Sequence, residues 1–96
     1  SQAILKGCET TFPVKGRYFI TKPALSACAL GAALVGVYGM SVFSDYRGIT
    51  MLREQFPMLF DTRGELNHLG REIAHKNDYG NMSRESIAAW LDEKGL

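Results

Sequence analysis

From Pro23 to Ser44 the chain carries no charged residue, while the sequence on both sides of that stretch is polar. The mean hydropathy of Leu25 to Phe43 is about 1.8, in the range by which membrane spans are recognised. Read as a helix, Pro23 to Phe43 is about twenty residues and covers roughly 30 Å of hydrocarbon. Pro23 suits the first helical turn, where a missing N–H costs nothing. Tyr18 and Phe19 on one side, and Phe43 and Tyr46 on the other, sit where interfacial aromatics belong. Arg17 and Lys22 supply charge before the run, and Asp45 and Arg47 end it sharply. This one feature predicts an all-α fold built on a single transmembrane helix over 23–43. An extended N-terminal arm over 1–22 precedes it, and an extramembrane tail of short amphipathic helices over 44–96 follows. The competing structures are a buried central helix and a signal peptide. The flanks offer little apolar surface to enclose such a helix, and the run starts late and is long for a signal sequence.

The segment has two unlike faces. On a helical wheel Cys28, Ala29, Ala32, Gly36 and Gly39 fall within about 100° of one another. Small residues at that spacing let a second backbone approach closely, which in lipid is a main source of helix association. Leu30, Leu34, Val37 and Tyr38 take the other side, for lipid or a looser contact. Lys6, Lys15, Arg17 and Lys22 slightly outnumber the cations that follow the run. That excess favours an N-terminus on the positive-inside face of the membrane.

The arm is read as extended, or as a short amphipathic piece, with Gly7, Pro13 and Gly16 breaking any longer helix. The tail holds three candidate helices. Gly48 to Phe56 puts Ile49, Leu52 and Phe56 on one face and is stopped by Pro57. Thr62 and Glu65 form a capping box ahead of Leu66, Leu69 and Ile73. After a loop over Asn77–Asn81, Ser83 caps a last helix with Ile87, Trp90 and Leu91 as a docking stripe and Gly95 as its stop. Cys8 and Cys28 are read as free thiols, since two cysteines make no disulfide framework.

Catalytic and ligand chemistry is sparse. His68, Glu72 and His75 share one helix face, and Glu72-x-x-His75 has the spacing of di-iron bundles, but the further carboxylates and second histidine motif are missing. A zinc-protease pattern, a phosphate loop and a dinucleotide fingerprint are all absent from the sequence. The apolar run holds no ionisable residue and so offers no proton relay. With eleven Lys+Arg against ten Asp+Glu, the net charge of +1 argues against nucleic-acid binding. The expectation is a non-enzyme without cofactor, metal or small-molecule substrate.

The stretch from Phe12 to Gly31 resembles mitochondrial ATP synthase subunit k. The pattern is an aromatic, an aliphatic, Gly-Arg, then a Leu-rich segment leading to Leu-Gly, here Phe12, Val14, Gly16-Arg17, Leu25 and Leu30-Gly31. There is one extra residue between Gly-Arg and Leu25. The segment from Glu85 to Leu91 is similar to the acidic-hydrophobic helix that ends some fungal members. The match covers about a third of the chain, and residues 44–80 have no counterpart. The resemblance implies a non-catalytic Fo subunit of the mitochondrial inner membrane, partnered by other membrane subunits and lipid and helping to hold dimers together. The layout also suits an accessory subunit of respiratory complex I, III or IV or of a photosystem, a lone membrane anchor, or a soluble helical interaction domain.

Overall fold

The charge-free run does not form one long helix. In the computed structural model, which describes residues 1–22, 24–43 and 49–96, it is divided into a short strand, a ten-residue helix and a 3-10 segment. The helix, Ala29–Tyr38, is about 15 Å long, half the thickness of a bilayer core. Among the described residues no helix is long and apolar enough to cross a membrane. This overturns the all-α, single-span architecture.

The elements in chain order are α1 (Gln2–Cys8), β1 (Phe12–Pro13), β2 (Phe19–Ile20), β3 (Ser26–Ala27) and α2 (Ala29–Tyr38). After the 3-10 segment Gly39–Phe43 come α3 (Ile49–Gln55), a 3-10 turn over Pro57–Leu59, α4 (His68–Asp78) and α5 (Arg84–Glu93). The strands make a small mixed sheet in the order β1-β3-β2. β1 runs parallel to β3 with Phe12 opposite Ser26, and β2 runs antiparallel to β3 with Phe19 opposite Ala27. Pro13 is tolerated because β1 is an edge strand.

Local chemistry sets the boundaries of α2. Cys28 is its N-cap, and its thiol accepts from the N–H of Gly31. At the other end Gly39 adopts φ 74°, which terminates the helix and which a residue with a side chain adopts only at a cost. Gly39 therefore stops α2 and has no heavy atom within 4 Å of where a side chain would begin.

α2 is apolar all round, and every residue from Ala29 to Val35 is buried. A helix of that kind belongs at the centre of a fold. Its cover comes from the flanking segments, sparse in apolar residues as they are. Ile4 of α1, Met51 and Leu52 of α3, Leu59, Ile73 of α4, and Ile87, Ala88 and Leu91 of α5 share one core with it. Ten residues need far less cover than twenty, so the shortage that favoured a membrane does not arise.

The small-residue face meets a helix of its own chain. A Cβ added at Gly7 would fall 1.8 Å from the carbonyl oxygen of Ala32, and one at Gly36 would fall 2.0 Å from that of Ala3. On each helix the two positions are four apart, and their order is reversed between the helices. α1 and α2 are thus antiparallel and in direct backbone contact, at a separation only glycine and alanine permit. The arm expected over 1–22 begins with the helix that closes the core.

The tail follows its sequence signals more closely. α3 ends before Pro57; Gly48 lies outside the described residues. Ser83 caps α5, its hydroxyl accepting from the N–H of Ser86 at 3.0 Å, and Gly95 has φ 82° beyond its end. The Thr62–Glu65 capping box is displaced. Asp61 accepts the N–H groups of Arg63 and Glu65 in a tight loop, and a bridge pairs Phe60 with Leu66. Asn67 is the N-cap of α4, accepting from Gly70 at 3.0 Å. Asn77 and Asp78, expected in a loop, form the last turn of that helix.

Candidate functional site

Two buried polar side chains tie the N-terminal third to the last two helices. Asn77, on α4, accepts the N–H of Ala29 at 3.0 Å and donates to the carbonyl of Val14 at 3.0 Å. It also donates to Asp78 at 2.9 Å, and the same carboxylate oxygen accepts the N–H of Gly16 at 2.8 Å. The end of α4 therefore caps the start of α2 and holds the 14–16 strip in place. Arg84, at the start of α5, donates to the hydroxyl of Thr11 at 2.7 Å, to the carbonyl of Thr11 at 2.8 Å and to that of Ala27 at 3.3 Å. Its Nε is buried and has no hydrogen-bond partner among the described residues.

The Asn77 clasp leaves a cleft beside it. One wall is the strip Gly16–Phe19, another is the start of α2 at Cys28 and Leu30, and the third is Leu66 with Ala74, Asn77 and Asp78. Its volume is about 560 Å³, within the range of small-molecule sites. Phe19, Leu30, Leu66 and Ala74 make an apolar lining, while Arg17 and Asp78 add one charge of each sign.

Two groups that border the cleft, the Cys28 thiol and the Tyr18 hydroxyl, are shifted towards their neutral forms. Burial pushes the Cys28 thiol above its ordinary value; helix N–H groups oppose that shift less strongly, and the Asp78 charge adds to it. Burial also raises the Tyr18 hydroxyl, with a smaller contribution from Cys28. A nucleophilic cysteine needs the opposite, a thiolate favoured by its surroundings. Cys28 acts here as a helix cap.

The residues singled out from the sequence are scattered across different roles. Ala29 and Ala32 are in the core, Gly36 lies against α1, and Gly39 ends α2. Arg17, Tyr18 and Phe19 border the cleft, and Lys22 is exposed. Phe43 closes the 3-10 segment, and Tyr46 lies outside the described residues. Ile87 and Leu91, expected to dock on a partner, are buried in the core of this chain. Trp90 is half-buried, with the ammonium groups of Lys76 and Lys94 at 4.7 and 4.8 Å from its ring centre. Cys8 and Cys28 are both free. His68 lies 3.3 Å from Glu72 on an exposed face, and the described residues hold no group of three or more metal-ligating side chains.

Asn77 and Asp78 were missed, although a signal for Asn77 was present. Gly70, Ile73 and Asn77 are the buried residues of α4, at i, i+3 and i+7. An amide that continues an apolar stripe is a candidate for an internal clasp. Leu66 and Ala74 give no such signal, since their place in the cleft depends on the loop before α4.

Comparison with protein-family models, with curated proteins and with solved structures finds no match to this chain.

Proposed function

We propose that the protein is a non-catalytic helical binding module whose working surface is the cleft between the 16–19 strip, the start of α2 and α4. The occupant this chemistry suits is a metabolite-sized amphiphile, with an apolar body against Phe19, Leu30 and Leu66 and a charged group near Arg17 or Asp78. The observation that carries this reading is the cleft itself, which combines adequate volume, apolar lining and opposed charges. A thiol held protonated beside it supports binding over chemistry. The resemblance to subunit k also implies a non-catalytic role. That part of the expectation is retained here, while its membrane-spanning form is replaced by the fold.

Ala74 lies on α4 and is half-buried at the cleft. Ala74→Phe should fill the space from that side. A set of aromatic carboxylates and aromatic amines, titrated against labelled protein, should shift the amide signals of Phe19, Leu30 and Leu66 in the native chain. The same titration should leave them unmoved in Ala74→Phe. If no compound of either charge moves those signals in the native protein, the proposal fails.

A further inference from the structure

A second pocket, separate in chemistry from the cleft, lies between the helices, deep against the core and open to solvent at Met58 and Leu96. It has a volume of about 140 Å³ and is bounded by α1, α2, the Pro57–Leu59 turn, α4 and α5. Its deep wall is Ile4, Leu30, Ala33 and Ile73, all buried. Met58 lies towards its mouth and is 52% exposed. Every lining residue except Ser1 has an apolar side chain, and the charged groups on lining residues are the terminal ones of Ser1 and Leu96, which bond each other.

We infer that this pocket is a binding site for a compact, uncharged hydrocarbon group, either a free molecule or the buried end of a short amphiphile. Its size decides the class. An apolar cavity of about 150 Å³ stays dry and takes benzene or xenon. Water gains little at the deep wall, because it needs two to four polar partners and Ile4, Leu30, Ala33 and Ile73 offer no polar side chain. A charged or strongly polar guest would lose its hydration without compensation. Met58 provides the way in, since an unbranched thioether side chain adapts its shape to what passes or fills the gap. The inference does not depend on the cleft having an occupant. Leu30 borders both spaces, whereas Ile4 and Ile73 border only the inner one, so the two sites can be read separately.

The test uses the full chain with labelled methyl groups, titrated with benzene and, in a second arm, with hexanoate. Saturable shifts of the Ile4 and Ile73 methyls, with direct magnetisation transfer from benzene protons to them, are the expected result. Hexanoate producing the same shifts would identify the guest as an alkyl end with its head at the mouth. Benzene acting alone would identify a free compact molecule. Ala33→Leu should plug the pocket and abolish the shifts. Should that variant fold poorly, the magnetisation transfer in the unaltered protein still decides. The inference is overturned if neither compound moves the Ile4 and Ile73 methyls, or if shifts appear only at Phe19 and Leu66.

Discussion

Replacing Gly7 by alanine sets two effects of opposite sign against each other. Gly7 sits inside α1, where alanine is favoured over glycine by at most about 1 kcal/mol of helix propensity. The new methyl carbon, however, would fall 1.8 Å from the carbonyl oxygen of Ala32, and that oxygen belongs to backbone. An ordinary carbon–oxygen contact is about 3.3 Å or more. The helices must therefore part by roughly 1.5 Å, and a gap of even 0.5–1 Å forfeits a quarter to a half of each dispersion contact. Overpacking of this kind costs about 1–3 kcal/mol, and the loosened seating of Ile4 adds part of the 1.5–3 kcal/mol that a buried side chain of its size contributes. The net expectation is a loss of about 2–3 kcal/mol. Urea unfolding followed by circular dichroism should show a midpoint lower by about 1–2 M. Gly16→Ala is the control. Its φ of 74° carries the left-handed cost of about 1–2 kcal/mol, but nothing lies within 4 Å of the added carbon. Gly7→Ala should therefore be the more damaging of the two. A Gly7→Ala protein as stable as the parent, or more so, would show that α1 and α2 are not in backbone contact.

Asn77→Leu leaves the buried N–H of Ala29 and the carbonyl of Val14 without their partner. At about 1–3 kcal/mol for each stranded group, the loss should be about 2–6 kcal/mol, with faster hydrogen exchange at the Ala29 amide as the local readout. Cys28 should resist iodoacetamide at pH 8 in the folded protein and react on unfolding, because burial holds its thiol protonated. The sign of the pH effect follows. Its folded pKa is raised, so the stability tied to the neutral thiol is complete below the unfolded value of about 8.5 and is lost as pH rises through the folded value. Urea midpoints at pH 7 and 9.5 should differ in that direction, and Cys28→Ala should narrow the difference.

The sequence announced the local stops and starts well where one residue type decides them. Ser83 and Gly95 frame α5 because a hydroxyl cap and a left-handed glycine act within a single turn. Pro57 ends α3 for an equally local reason. The centre is not legible in the same way, because hydropathy counts charges and apolar atoms but does not register how long the helix is. Ser26 and Ala27 pair in a sheet with Phe12 and Phe19, and Gly39 turns the chain, so the uncharged run is cut at both ends by interactions that an average over nineteen residues conceals. The glycine and alanine spacing did mark a surface built for close approach; that its partner would be the chain's own first helix depended on long-range folding. The cleft was still less legible. It is assembled from a strip near residue 17, a helix start near 28 and a helix end near 77, joined by long-range bonds of Asn77 and Asp78 and by the pairing of β2 with β3.

That amide also sets a lower limit on how far the molecule can be cut down. Its bonds run from residue 14 to residue 77, and those of Arg84 from residue 11 to residue 84. Any fragment that keeps both sets must run at least from residue 11 to residue 84, about three quarters of the sequence. A cut inside that span would expose carbonyls and amides that the intact chain satisfies only at a distance.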